Sequence, residues 1–380
     1  MAAKNVNSDP KNGYLILPKE IVLDIIGYLP EDVNQLRLVN RATNALVGPP
    51  RCMVLDKPCQ SALLGAVRNA MNASPESVSN LRKLVIVAGD RNRNQIAGFW
   101  LLGPGRPGGF PAHDKFLVPA IAGLMTKLNS GFSPRLETIH LDVFSLTEDQ
   151  RFQLGRLLSR DGTVKWPVSK LSLVGQIHYN FPLTMLVGKV RVLTAVEADC
   201  SPSIVSGNVR GNCVLWNGIF APHAVSLRKA ACLFSKRFDS GMLTEAVDQL
   251  LCFKQCTNLE WLILRCVPGY PGCGPGLCSP QIHDWTFPMA QAVCEIPSLK
   301  RLAMVFHKDP GLGRQWTTRA KQAIHVVMAG APHLERFLIS GPGFEAWEGC
   351  RIGSPGEVVI QDRYASWQEQ ETGWPHTCCR

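Results

Sequence analysis

The sequence predicts an α/β chain: a short all-helical head, then an irregular solenoid of parallel strands whose connecting helices lie on one side of the sheet. Three observations predict it. A spacing of apolar, two residues, apolar, one residue, apolar recurs along most of the chain. Between its copies lie stretches whose apolar residues repeat every three to four positions, as helices require. Ahead of the first copy, positions 14–50 are helical in pattern and end abruptly at Gly48-Pro49-Pro50.

The head divides into three helices. Positions 1–13 are polar and form a loose leader. Ile21, Ile25 and Leu29 then fall on one helical face, with Val22 and Ile26 beside them. Pro18 suits the first turn of that helix, where its missing N–H is not needed, and Glu20 suits the positive end of the dipole. Pro30 ends it. Glu31 and Asp32 open a second helix carrying Val33, Leu36 and Val39, and a third carries Ala42, Ala45, Leu46 and Val47. So small a unit cannot bury its own apolar faces and needs a partner or a neighbouring domain. Docking of the head onto the rest of the chain as an N-terminal cap is the alternative.

The recurrent spacing appears as Leu81-Leu84-Ile86, Leu136-Ile139-Leu141, Val168-Leu171-Leu173, Leu259-Leu262-Leu264, Leu299-Leu302-Met304 and Leu334-Phe337-Ile339. Weaker copies are Val190-Leu193-Ala195 and Leu227-Ala230-Cys232. Starts are separated by 22 residues (Val168 to Val190) up to 55 (Leu81 to Leu136), which marks an irregular stacked repeat. Helical spacing fills 63–71, 116–128, 149–158, 242–253, 289–295 and 318–328. Strands joined by helical crossovers run parallel.

Gly/Pro-rich loops interrupt the array at 103–111 and 268–280. Val358-Val359-Ile360 gives a last strand, and positions 351–380 read as a capping tail after an array spanning 51–350.

Two resemblances follow from these residues. Leu17-Pro18-Lys19-Glu20-Ile21, Ile25-Ile26-Gly27-Tyr28-Leu29-Pro30 and Leu36-Arg37-Leu38-Val39-Asn40-Arg41 together resemble the F-box motif, over about residues 15–48. Asn40 stands where that family usually has Cys, and Thr43 lies near a usual aromatic. The array resembles the leucine-rich repeat in an irregular form, without the asparagine expected after each strand. The first resemblance implies a non-enzymatic adaptor subunit of a Skp-cullin-F-box (SCF) ubiquitin ligase. Its Skp-binding residues would be Leu17, Pro18, Glu20, Ile21, Ile25, Leu29, Pro30, Leu36 and Val39. The adaptor would connect the chain to a cullin scaffold, and the repeats would hold a protein substrate. A leucine-rich-repeat scaffold outside any ligase, its head only capping the array, is the second function reading.

The array also poses a question about its faces. In a horseshoe, residues alternating with the apolar anchors project from an open face, whereas a doubly wound sheet covers both. Lys83, His140, Lys170, Ser172 and Arg336 suit an open face, but Val85, Ile263, Ala303 and Leu338 are equally placed and apolar. The horseshoe is the expectation, with its partly apolar open face as a partner site. That expectation gathers His140, Ser172, Trp261, Ile263, Arg265, Arg301 and Arg336 into one substrate-binding surface. Trp and Arg are frequent interface anchors, and three arginines are hard to bury without acids. Such a surface favours an acidic or phosphorylated partner segment.

Composition narrows the remaining classes. The 380 residues carry a formal charge of +10, with 46% hydrophobic and 18% charged residues. The basic surplus is dispersed, so a solvated surface is favoured over a nucleic-acid arm. Neither a signal-peptide layout nor an uninterrupted apolar run long enough to span a bilayer appears. The 14 cysteines follow no disulfide framework, and a reduced cytosolic or nuclear setting is expected.

No phosphate-binding loop, nucleophile elbow or His-Glu-x-x-His occurs in the sequence. Gly103-x-Gly105-x-x-Gly108 has dinucleotide spacing, but Pro104 and Pro107 break the helix start it needs. Cys266, Cys273, Cys278 and His283 are the best zinc candidates, although they lack a Cys-x-x-Cys clip. No cofactor or resident metal is expected.

Overall fold

A computed structural model describes residues 51–57, 59–88, 114–143, 146–160, 166–174, 190–198, 220–234, 250–266, 282–306, 316–340, 346–353 and 356–362. The head, with every residue named above as Skp-binding, lies outside the described residues, as do the leader and both Gly/Pro-rich loops.

The described strands form one large sheet of eleven, in the order in which the chain makes them. They are β1 (Cys52–Asp56), β2 (Lys83–Val87), β3 (Thr138–Asp142), β4 (Lys170–Val174), β5 (Ala195–Ala198), β6 (Lys229–Phe234), β7 (Trp261–Cys266), β8 (Arg301–Phe306), β9 (Arg336–Ser340), β10 (Ala346–Ile352) and β11 (Glu357–Asp362). β1 to β9 are all parallel. β10 and β11 close the sheet antiparallel. The chain is therefore mixed α/β with a mostly parallel sheet.

The apolar repeat builds one side of that sheet. Leu84, Leu141, Leu173, Leu264, Met304 and Ile339 are no more than 1% exposed and belong to a single core cluster. The leading residue of each copy (Leu81, Leu136, Val168, Leu259, Leu299, Leu334) is buried just before its strand and joins the same cluster. The three apolar positions of each of these copies therefore anchor one turn of chain to the core. The weak copy Val190-Leu193-Ala195 is out of step by one, because Ala195 lies on the other side of the sheet and β5 gives Val196 and Ala198 to the core.

Helices cover this side. α1 (Gln60–Met71) presents Leu63, Leu64 and Val67, and α2 (Pro75–Val78) is one turn with Ser74 as its N-cap. α3 (Leu117–Lys127) buries Leu117, Val118, Ile121, Ala122, Leu124 and Met125. α4 (Glu148–Ser159) starts at a capping box: Gln150 N–H donates to Thr147 Oγ1 and Thr147 N–H to Gln150 Oε1, both at 3.1 Å. α5 (Ile282–Cys294) and α6 (Trp316–Gly330) follow β7 and β8. α5 begins well before position 289, because Pro288 sits inside the helix and does not end it. Of the helix expected over 242–253, only a last turn at 250–255 lies in the described residues.

The antiparallel end has its own fastening. Arg351 on β10 donates to Met328 O at 2.6 Å and to Gly356 O at 2.9 Å, tying the last turn of α6 to the β10–β11 turn. A cation at a helix C-terminus also meets its unsatisfied carbonyls and negative dipole end. Gly349, two residues before it on β10, lies directly against α6: a Cβ there would overlap Ile324 and come within 2.5 Å of Met328 Sδ. Gly349→Ala should therefore destabilise the chain by about 1–3 kcal/mol through overpacking. Urea unfolding would check this, and an unchanged midpoint would mean that β10 does not rest on α6.

Candidate functional site

Side chains alternate across a strand, so residues between the core anchors project from the sheet's second face. All seven residues expected on a shared surface do so, because the registers of neighbouring strands align them. They fall into three rows that differ in exposure.

The first row is made of the first residue of each strand. Lys83, Thr138, Lys170, Ala195, Lys229, Trp261, Arg301 and Arg336 are successive register partners from β2 to β9. Its charged members and Trp261 are half-buried. Lys229 Nζ lies 3.9 Å from the centroid of the Trp261 ring, and Arg301 Cζ lies 4.5 Å from it. Two cations from flanking strands are thus held against one indole, by the attraction of positive charge to the ring's electron-rich face. At the end of the row Arg336 donates to Glu348 on β10 at 2.8 Å. Burial would lower the Arg336 pKa, but the buried Glu348 carboxylate more than offsets this and raises it.

The middle row is polar at one end and apolar at the other. His140, Ser172 and Glu197 are successive partners on β3, β4 and β5. Ser172 donates to Glu197 Oε2 at 2.7 Å, so at 2.8 Å His140 Nδ1 must be the donor to Ser172 Oγ. The row continues with Ala231, Ile263, Ala303 and Leu338, which are fully buried and form a second cluster with Trp261 packed against it. Here the structure corrects the sequence reading. The apolar stretch of this face, with Ile263 in it, is buried and is not an open surface.

Arg265, in the third row, is corrected too. It is buried and ion-paired with Glu197. The two are separated by β6, where Ala231 is the register partner of Glu197 and Leu233 that of Arg265, so the pair crosses that strand diagonally. Burial of Glu197 would raise its pKa, but the Arg265 and His140 charges and the bonds from Ser172 and Arg265 outweigh that and hold it low. Sequence reasoning missed Glu197 and Glu348. Glu197 was hidden by register: the weak copy Val190-Leu193-Ala195 puts Ala195, and Glu197 two residues on, on the core side, whereas the core residues of β5 are Val196 and Ala198. Glu348 lies on a strand that no repeat copy marks.

Chemically, the serine, histidine and carboxylate of the middle row do not form a nucleophilic set. An attacking serine must give its proton to histidine, whereas Ser172 gives its proton to Glu197 and is fully buried. The network fixes strand register across a buried sheet. Among the described residues no group of three His, Cys, Asp or Glu side chains converges as a metal site. Cys273 and Cys278, of the zinc candidates, lie outside the described residues. No helix among the described residues is long and apolar enough to cross a membrane. Among the described residues of this face, the half-buried ones include Lys83, Lys170, Lys229, Trp261, Arg301 and Arg336 of the first row and Val85 and His140 of the middle row, whereas Thr138 and Ala195 are buried. No family model matches the chain, and no curated protein matches its sequence.

Proposed function

We propose that this chain is the substrate-recognition adaptor of an SCF-type ubiquitin ligase, working in the cytoplasm or nucleus. Residues 14–50 act as an F-box that binds a Skp-type adaptor, and through it a cullin. The strands and helices after them form a leucine-rich-repeat-like solenoid that holds a protein substrate. The observation that carries this reading is a combination: an F-box-like motif directly ahead of nine parallel strands ordered as in the sequence. Sequential parallel order is what stacked repeats produce, since each unit can bury its apolar face only on its neighbours. The chain supplies no ubiquitin-transfer chemistry. It contributes proximity and orientation, and other subunits perform the reaction.

The test is co-purification of the full chain with a Skp-type adaptor. Ile25→Asp should abolish it, because an unpaired carboxylate buried at the interface costs several kcal/mol, on the order of a 100-fold loss or more. Far-UV circular dichroism of the variant should be unchanged. Retained co-purification, or collapse of the whole fold, would favour the other reading, in which the head only caps the array of a scaffold protein.

A further inference from the structure

We infer that the outer edge of β11 takes up a strand from another protein, an antiparallel segment with an apolar centre and a basic residue at each end. The inference stands apart from the ligase reading, which concerns the head and the parallel strands. β11 (Glu357–Asp362) is the last strand of the sheet: it pairs with β10, and among the described residues no strand pairs with its other side. That side presents the alternate backbone N–H and C=O groups that an added strand satisfies. Natural edge strands are guarded by lysines, prolines, bulges or short length. β11 has charges only at its ends, and no proline. Its register with β10 runs unbroken over six pairs, from Ile352 with Glu357 to Trp347 with Asp362, so no bulge turns the edge aside. Val358, Val359 and Ile360 between those ends are strong strand formers.

The strand is also held ready. Val358 and Ile360 pack against the main core cluster, α6 lies against the strand, and Arg351 grips the preceding turn through Gly356 O. A strand fixed in advance costs little further ordering when a partner arrives. Glu357 and Asp362 select that partner. Both are exposed, and neither makes an ion pair or a hydrogen bond among the described residues. Residues directly opposite on neighbouring strands share a face, where opposite charges attract and like charges repel. A second copy of β11, laid antiparallel along the whole strand, sets Glu357 opposite Asp362 twice and is repelled at both ends. A segment with Lys or Arg at those two places makes two attractive pairs instead. Its residues opposite Val358 and Ile360 continue the core side of the sheet and are apolar.

The experiment is fluorescence anisotropy with the full chain and a labelled cyclic β-hairpin whose outer strand reads Lys-Thr-Val-Thr-Val-Lys. Its lysines then lie opposite Asp362 and Glu357, and its valines opposite Ile360 and Val358. One comparison hairpin carries Glu in place of both lysines, and another is N-methylated along that outer edge and cannot donate hydrogen bonds. The lysine hairpin should bind best, the glutamate one about tenfold more weakly, and the N-methylated one not at all. Glu357→Lys with Asp362→Lys should reverse the preference between the two charged hairpins, and the milder Glu357→Gln with Asp362→Asn should reduce it a few-fold. Thermal melts of both double variants should match that of the parent chain, since neither carboxylate has a partner to lose. Sedimentation at neutral pH should show a monomer. Equal binding of the charged hairpins, binding of the N-methylated one, or a dimer that the charge reversal abolishes would overturn the inference. So would no binding of the lysine hairpin, the outcome if residues 363–380 already hold the edge. Adaptor co-purification, scored on the same proteins, reports separately on the ligase reading.

Discussion

Glu197→Gln is expected to destabilise the chain by about 3–5 kcal/mol, the cost of leaving a buried guanidinium without its counter-charge. Arg265 is buried, and the Glu197 carboxylate both pairs with it and accepts the Ser172 hydroxyl. The amide keeps the size of the side chain but not its charge, so the loss measures electrostatics and not a cavity. Because the Glu197 pKa is held low in the folded state, its contribution is fully present above the ordinary carboxylate pKa, about 4.3. It fades as pH falls further, through the folded-state value. The gap in unfolding free energy between the parent and Glu197→Gln should thus be flat near neutrality and shrink on acidification. A gap that stayed constant down to pH 3 would mean that Glu197 is not the ionised partner of Arg265.

Leu264→Ala should cost about 2–5 kcal/mol, as for other large-to-small changes in a close-packed core. Leu264 is fully buried on β7, in register with Cys232 on β6 and Met304 on β8, and all three belong to the main core cluster. The spread depends on how far Cys232 and Met304 relax into the space. Chemical denaturation gives the measurement, and a loss under about 0.5 kcal/mol would show that the repeat anchor does not carry the core.

The order of the strands was legible in the sequence, and so was the side each anchor faces except in the weak copy ending at Ala195, where β5 turns Val196 and Ala198 to the core. The spacing of three apolar positions is local: the first precedes a strand and the next two share its inward side, as Leu259, Leu262 and Leu264 do. Helices followed from their periodicity for the same reason. β1 was not legible, because Leu55 is its only buried residue and a short apolar run has no period to read. The antiparallel β10 was not legible either. Its close approach to α6 at Gly349 and its arginine tie to that helix serve contacts with residues some twenty positions earlier.

The second face divides the two kinds of information most clearly. Sequence alone determined that His140, Ser172, Trp261, Ile263, Arg265, Arg301 and Arg336 share it, since alternation along a strand is a property of the backbone. Whether each is exposed was decided only by the tertiary structure. Ile263 is buried among Ala303 and Leu338 of neighbouring strands. Arg265 is buried with Glu197, 68 residues away in sequence, as its counter-charge across β6. Burial of a charge depends on a counter-charge close in space, and separation along the chain carries no record of that closeness.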